Sequence, residues 1–85
     1  MQQLTLTTVT VGSFQENCYL LSDPNRNACI VVDPGAEADK LLQQIGNRRV
    51  TAILLTHAHH DHIGAVEEIR TKTGAPVRIN PAERD

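Results

Sequence analysis

The sequence predicts an α/β (α+β) domain, and three observations predict it. Short stretches of β-branched and aliphatic residues recur between turn residues; two stretches carry apolar residues at helical spacing; and the two kinds alternate in the second half of the chain. At 85 residues there is room for one small core, so a single domain over 1–85 is expected.

Gln3 to Val11 alternates Leu, Thr and Val and reads as an edge-type strand ended by Gly12-Ser13. Gln15 to Ser22 is a second strand, closed by the turn residues Asp23-Pro24-Asn25. The third, Ala28 to Val32, is apolar throughout, which predicts burial on both faces. Asp33-Pro34-Gly35 halts it. Ala36 to Ile45 then places Ala38, Leu41, Leu42 and Ile45 on one helical face, with Gly46 as terminator. Val50 to Leu55 is a fourth strand. Ile63 to Thr73 is a second helix, with Ile63, Val66 and Ile69 on one face, Gly64 allowing a close backbone approach and Gly74 as its end. Pro76 to Asn80 can add one more strand, and Pro81 to Asp85 has the make-up of a first helical turn, so the sequence is expected to stop in mid-element.

Composition narrows the function classes. With 40% hydrophobic and 21% charged residues the chain has the balance of an ordinary globular protein, and a net charge of −2 argues against a nucleic-acid partner. No apolar run approaches a membrane span, and Met1-Gln2-Gln3 lacks the layout of a signal peptide, so no membrane association and a cytoplasmic location are expected. Cys18 and Cys29 fit no metal-ligand spacing and are expected to be reduced and packed in the sheet, with a disulfide across a hairpin as the alternative. Arg48-Arg49 and Glu67-Glu68 read as solvated surface.

The chemistry is concentrated in Thr56-His57-Ala58-His59-His60-Asp61-His62, which holds all four histidines of the protein. Neutral imidazoles and carboxylates are the usual ligands of zinc, iron and manganese. Two positions apart in extended backbone, His57 and His59 point the same way and can share one ion. Asp61 and His62, at the turn into the helix, would face a second centre, the arrangement of a two-metal hydrolytic site, leaving His60 as an outer or solvent residue. The competing account is a histidine-rich loop with Asp61 capping the helix. Asp33 opens two accounts as well: a polar residue where a strand end meets a crevice, or the start of a turn or helix cap.

The run Leu54 to Ala65, together with Asn17-Cys18-Tyr19-Leu20 and Val31-Val32-Asp33-Pro34-Gly35, resembles the metallo-beta-lactamase superfamily, and especially its glyoxalase II-like branch, typified by hydroxyacylglutathione hydrolase. The resemblance covers the N-terminal half of such a domain. It implies an αββα sandwich, of which this chain would be one mostly antiparallel or mixed sheet with its two helices. It also implies two divalent metal ions, zinc with iron or manganese as alternatives: His57 and His59 on the first, Asp61 and His62 on the second, Asp61 also in the catalytic set, and Asp33 supporting the site from behind. The implied activity is hydrolysis of a small thioester, the hydroxide between the metals attacking the acyl carbonyl. The family's later histidines have no counterpart here, because no histidine follows His62, and Asp85 lies too close to the motif to serve as the family's bridging aspartate. An incomplete metal-binding or interaction fragment without turnover is therefore the alternative, and a nuclease a weaker one. A sheet lacking its other half implies self-association or marginal stability.

Overall fold

In the computed structural model, residues 4–12, 16–56 and 63–79 are described, the side chains of residues 16, 63 and 64 excepted. The elements are β1 (Thr5–Val11), β2 (Glu16–Asp23), β3 (Ala28–Val32), α1 (Ala38–Ile45), β4 (Arg49–Leu55), α2 (Ile63–Thr73) and β5 (Val77–Ile79). The five strands form one sheet in chain order. β1, β2 and β3 pair antiparallel. The pairings β3–β4 and β4–β5 are parallel, each made possible by a helix that carries the chain back. The expected mixed sheet with two helices is the one found.

The core explains why the helices sit where they do. Val9, Val11, Cys18, Leu20, Cys29, Val31, Val50 and Ile53 supply the strand side, and Ala38, Leu41, Ile45 and Ile69 face them from the helices. Both helices therefore cover one face of the sheet. The other face carries Leu4 and Leu6, 55% and 63% exposed. This corrects the expected burial of β3 on both sides: Cys29 and Val31 are sealed under the helices, whereas Ile30 and Val32, on the uncovered face, are only half-buried.

One irregularity in β4 is needed for this core. Cys29 pairs with Val50 but Ile30 pairs with Ala52, so Thr51 is an extra residue in the ladder. The bulge turns Val50 and Ile53, three apart, toward the same face, where both are buried.

The turn and cap chemistry follows the expected residues with one exception. Gly46 and Gly74 close α1 and α2 with positive φ, and their N–H groups bond to the carbonyls of Leu42 and Arg70. The exception is the start of α1, which begins at Ala38 rather than Ala36 because Glu37 takes a left-handed conformation, φ 54°. Glu67 and Glu68 lie at the surface, paired with Arg70 and Lys72. Gly64's expected close approach and the segment 81–85 lie outside the described residues.

Candidate functional site

The parallel strands β3, β4 and β5 end at one rim of the sheet, the place where open α/β sheets put their ligands. Asp33 is the first residue beyond β3 on that rim. Its N–H continues the ladder by donating to the Leu54 carbonyl at 2.8 Å, and its φ of 54° then swings the chain away from the sheet. Asp and Asn reach this conformation more readily than most residues, because their short polar chains can bond nearby backbone.

That conformation turns the carboxylate toward the end of β4. Asp33 Oδ1 accepts the N–H of Thr56 at 2.7 Å, and Oδ2 accepts the Thr56 hydroxyl. Thr56 immediately precedes His57. Both oxygens of one carboxylate thus fix the residue from which the histidine motif departs. The helix-cap account of Asp33 fails, since the N-cap of α1 is Glu37, four residues on. Sequence reasoning misses the part played by Thr56; a hydroxyl before the first histidine gives no spacing signal, and only the β3–β4 pairing brings Asp33 beside it.

His57, His59, His60, Asp61 and His62 lie outside the described residues. Among the described residues, no group of three or more His, Cys, Asp or Glu is assembled to hold a metal ion.

The cysteines take no part in this chemistry. Both are free and buried. In the β2–β3 register Cys29 lies opposite Ser22, and Cys18 is four residues further along β2, so the hairpin disulfide is excluded. Burial, reinforced by the Asp33 carboxylate, pushes the Cys18 thiol up to about 12, and burial, offset in part by the Arg48 guanidinium, raises Cys29. Protonated thiols of this kind are poor nucleophiles near neutral pH.

Arg48 corrects a second expectation. Instead of lying in a solvated turn, it donates from Nε to the Ile45 carbonyl at 3.0 Å, and its other guanidinium nitrogens bond Gln44 O and Ser22 Oγ. It thereby closes the C-terminal end of α1 and satisfies the buried Ser22 hydroxyl. A basic residue just beyond the helix-ending Gly46 was the available sequence signal. A groove of about 230 Å³ lined by Leu21, Asp23, Arg26, Ile30 and Arg49 lies at the opposite end of the sheet from Asp33, away from this chemistry.

Residues 11–85 match the family model of the metallo-beta-lactamase superfamily. The chain belongs to that superfamily. Among its curated relatives, the "Probable metallo-hydrolase YqgX" of Bacillus subtilis is 44% identical over 77 residues, which cover 88% of this chain and 36% of the relative. The hydroxyacylglutathione hydrolase GloC of Haemophilus influenzae is 39% identical over 71 residues, 81% of this chain and 33% of that protein. Two solved structures superpose well: the B3 metallo-beta-lactamase BLEG-1, with TM-score 0.82 and 35% identity over 94% of this chain and 39% of that one, and TTHA1623 in a di-iron-bound form, with TM-score 0.73 and 40% identity over 88% and 38%. The chain spans little more than a third of the length of these proteins.

Proposed function

We propose that this chain carries the first half of a metal-dependent hydrolase site acting on a small thioester of the hydroxyacylglutathione type, in the cytoplasm. The observation that carries the reading is the grip of Asp33 on Thr56 at the root of the H-x-H-x-D-H motif. The donor set fits divalent ions: three imidazoles and a carboxylate within six residues, with the Asp33 carboxylate already committed to the N–H and hydroxyl of the preceding Thr56.

His57 and His59 would hold one ion, and Asp61 and His62 the other, zinc first, with iron or manganese equally served by these ligands. The ions when bound would lower the pKa of a bound water and stabilise the negative charge developing on the acyl carbonyl. Asp33 acts one step back. By holding Thr56 through both N–H and Oγ it fixes the residue that directly precedes His57 in the sequence. Asp61 would serve both as ligand and as the acceptor that orients the attacking water. No protein nucleophile is needed, consistent with the protonated Cys18.

A second reading has its own support: no histidine follows His62, so within this sequence each ion has two side-chain ligands where a catalytic zinc normally has three. On that reading the chain binds metal weakly and turns nothing over.

Elemental analysis and glutathione-thioester hydrolysis, run on the wild-type chain and on His59→Ala and Asp61→Ala, separate the two. The hydrolase reading expects two metals and turnover in the wild type, loss of the first metal with His59→Ala, and selective loss of the second with Asp61→Ala. Weakly held metal without turnover would select the second reading, and unchanged metal content in both variants would remove the ligand assignment altogether.

A further inference from the structure

β1 stands first in the sheet and pairs only with β2, so one of its edges is open. Two contacts at its end tell which residues face that edge. Lys40 Nζ donates to the Thr10 carbonyl and Gly12 donates its N–H to Glu37 Oε2, both at 2.7 Å, so residues of even number turn their peptide groups outward. The pair Thr10↔Asn17 agrees, since its side chains bond at 3.2 Å and opposed residues that exchange no backbone bonds stand closer together. By the same alternation Leu6 and Thr8 face outward, and Leu4 continues the series one residue before β1. Among the described residues, no partner meets the outward groups of Leu6 and Thr8.

Sheet edges are commonly defended by charge, proline or a bulge. From Leu4 to Gly12 this edge carries no charged residue and no proline, and its register with β2 runs without a shift. Thr5, Thr7, Thr8 and Val9 are β-branched, the residues that suit a pleated strand. Defence comes only at the far end, where Lys40 and Glu37 occupy Thr10 and Gly12. The opposite edge of the sheet differs: β5 is three residues long, with Arg78 at its centre.

These limits select one arrangement. An antiparallel partner must set outward residues against outward residues, and the Thr10 carbonyl is already taken. Two copies of β1 related by a two-fold axis through Leu6 meet both conditions. Leu6 then lies opposite the second copy's Leu6, Leu4 opposite its Thr8 and Thr8 opposite its Leu4, three opposed pairs that each exchange two N–H···O bonds. A shift by two residues keeps two such pairs among these residues and loses the contact of Leu6 with Leu6. Directly opposed residues share a face, so the two Leu6 side chains meet on the side away from the helices, and both helix layers lie together on the other. The contact is isologous and closes at two chains, whereas β1 against β5 of the next copy would run on into a filament.

We propose that the open edge of β1 is a self-recognition surface, where a second copy of this chain adds its own β1 antiparallel, centred on Leu6 and halted by Lys40 and Glu37. Stacking of the uncovered sheet faces is a different contact, because only edge pairing bonds the outward amides. Residue-resolved amide exchange on the wild-type chain over a dilution series separates the two. As the mass in solution doubles, exchange at Leu6 and Thr8 should slow about tenfold or more, while Gly12, bonded to Glu37 within one chain, stays constant. Association that leaves Leu6 and Thr8 exchanging at the dilute rate would overturn the proposal, as would a chain that is monomeric at every concentration. Mild oxidation of Leu6→Cys and Thr8→Cys reads the register, with Cys18 and Cys29 buried and out of reach. Leu6→Cys should cross-link two chains, since opposed residues lie within disulfide reach. The two copies of position 8 stand four residues apart along the strands, roughly 13 Å at about 3.3 Å per residue, and should not. No cross-link at position 6, or one formed as readily at position 8, would overturn the register.

Discussion

Asp33 occupies a backbone conformation that most side chains avoid, and two bonds to Thr56 offset that cost. Alanine at this position would keep the left-handed φ while losing both bonds, and asparagine would keep the local tolerance for φ > 0 and one acceptor oxygen. Asp33→Ala is therefore expected to lower unfolding stability by about 2 kcal/mol and Asp33→Asn by roughly half of that. The consequence for the histidine motif should be larger in proportion. Groups that orient metal ligands from behind typically cost 10- to 100-fold in metal affinity when removed, so zinc titration of Asp33→Ala should show an affinity about tenfold or more weaker than wild type. Equal zinc affinity in the two chains would reduce Asp33 to a turn residue. Its position was legible in the sequence as a polar residue closing an apolar strand; its partner was not, because Thr56 lies 23 positions away and meets it only through the parallel pairing of β3 with β4.

At the scale of elements, local pattern was a good guide wherever one face alone decided the outcome. β3 and α2 have the expected bounds, Ala28–Val32 and Ile63–Thr73, since each is an unbroken run framed by turn residues. The departures come from contacts distant in sequence. The bulge at Thr51 obeys no local rule, and it is required by the need to bury both Val50 and Ile53. The late start of α1 reflects Glu37 reaching for Gly12. Arg48 belongs to the same class: with no basic residue in its last turn, α1 ends on carbonyls that Arg48 satisfies from outside the helix while also holding Ser22. Arg48→Met should keep the aliphatic stem, leave those groups without their donor, and cost about 1–2 kcal/mol in urea unfolding. A second substitution, Ser22→Ala, should be destabilising in wild type yet nearly neutral in the Arg48→Met background, where the hydroxyl has already lost its partner. Additive losses would show that Arg48 and Ser22 act independently.

Across the whole molecule, the asymmetry of the two sheet faces dominates. Two helices cover one face, while cross-strand rows such as Leu6–Leu21–Ile30–Ala52 and Tyr19–Val32–Leu54 line the other with no layer from the described residues over them. Leu4 and Leu6 are more than half exposed at its edge. A contiguous apolar sheet face is normally covered. In relatives about two and a half times as long there is ample chain to pack there; the isolated 85-residue chain has a second copy of itself. The expected outcome is self-association through this face, seen in sedimentation velocity as a weight-average mass that climbs with concentration. Leu6→Lys tests the assignment without touching the helix-covered core, since Leu6 is 63% exposed in the single chain. Losing one buried leucine and placing a charge in an apolar interface should weaken association by about tenfold or more, with the monomer's fold intact by circular dichroism. A wild-type chain that stays monomeric at every concentration and unfolds in one sharp transition would mean that a single layer of helices stabilises this sheet, and that its second face tolerates water.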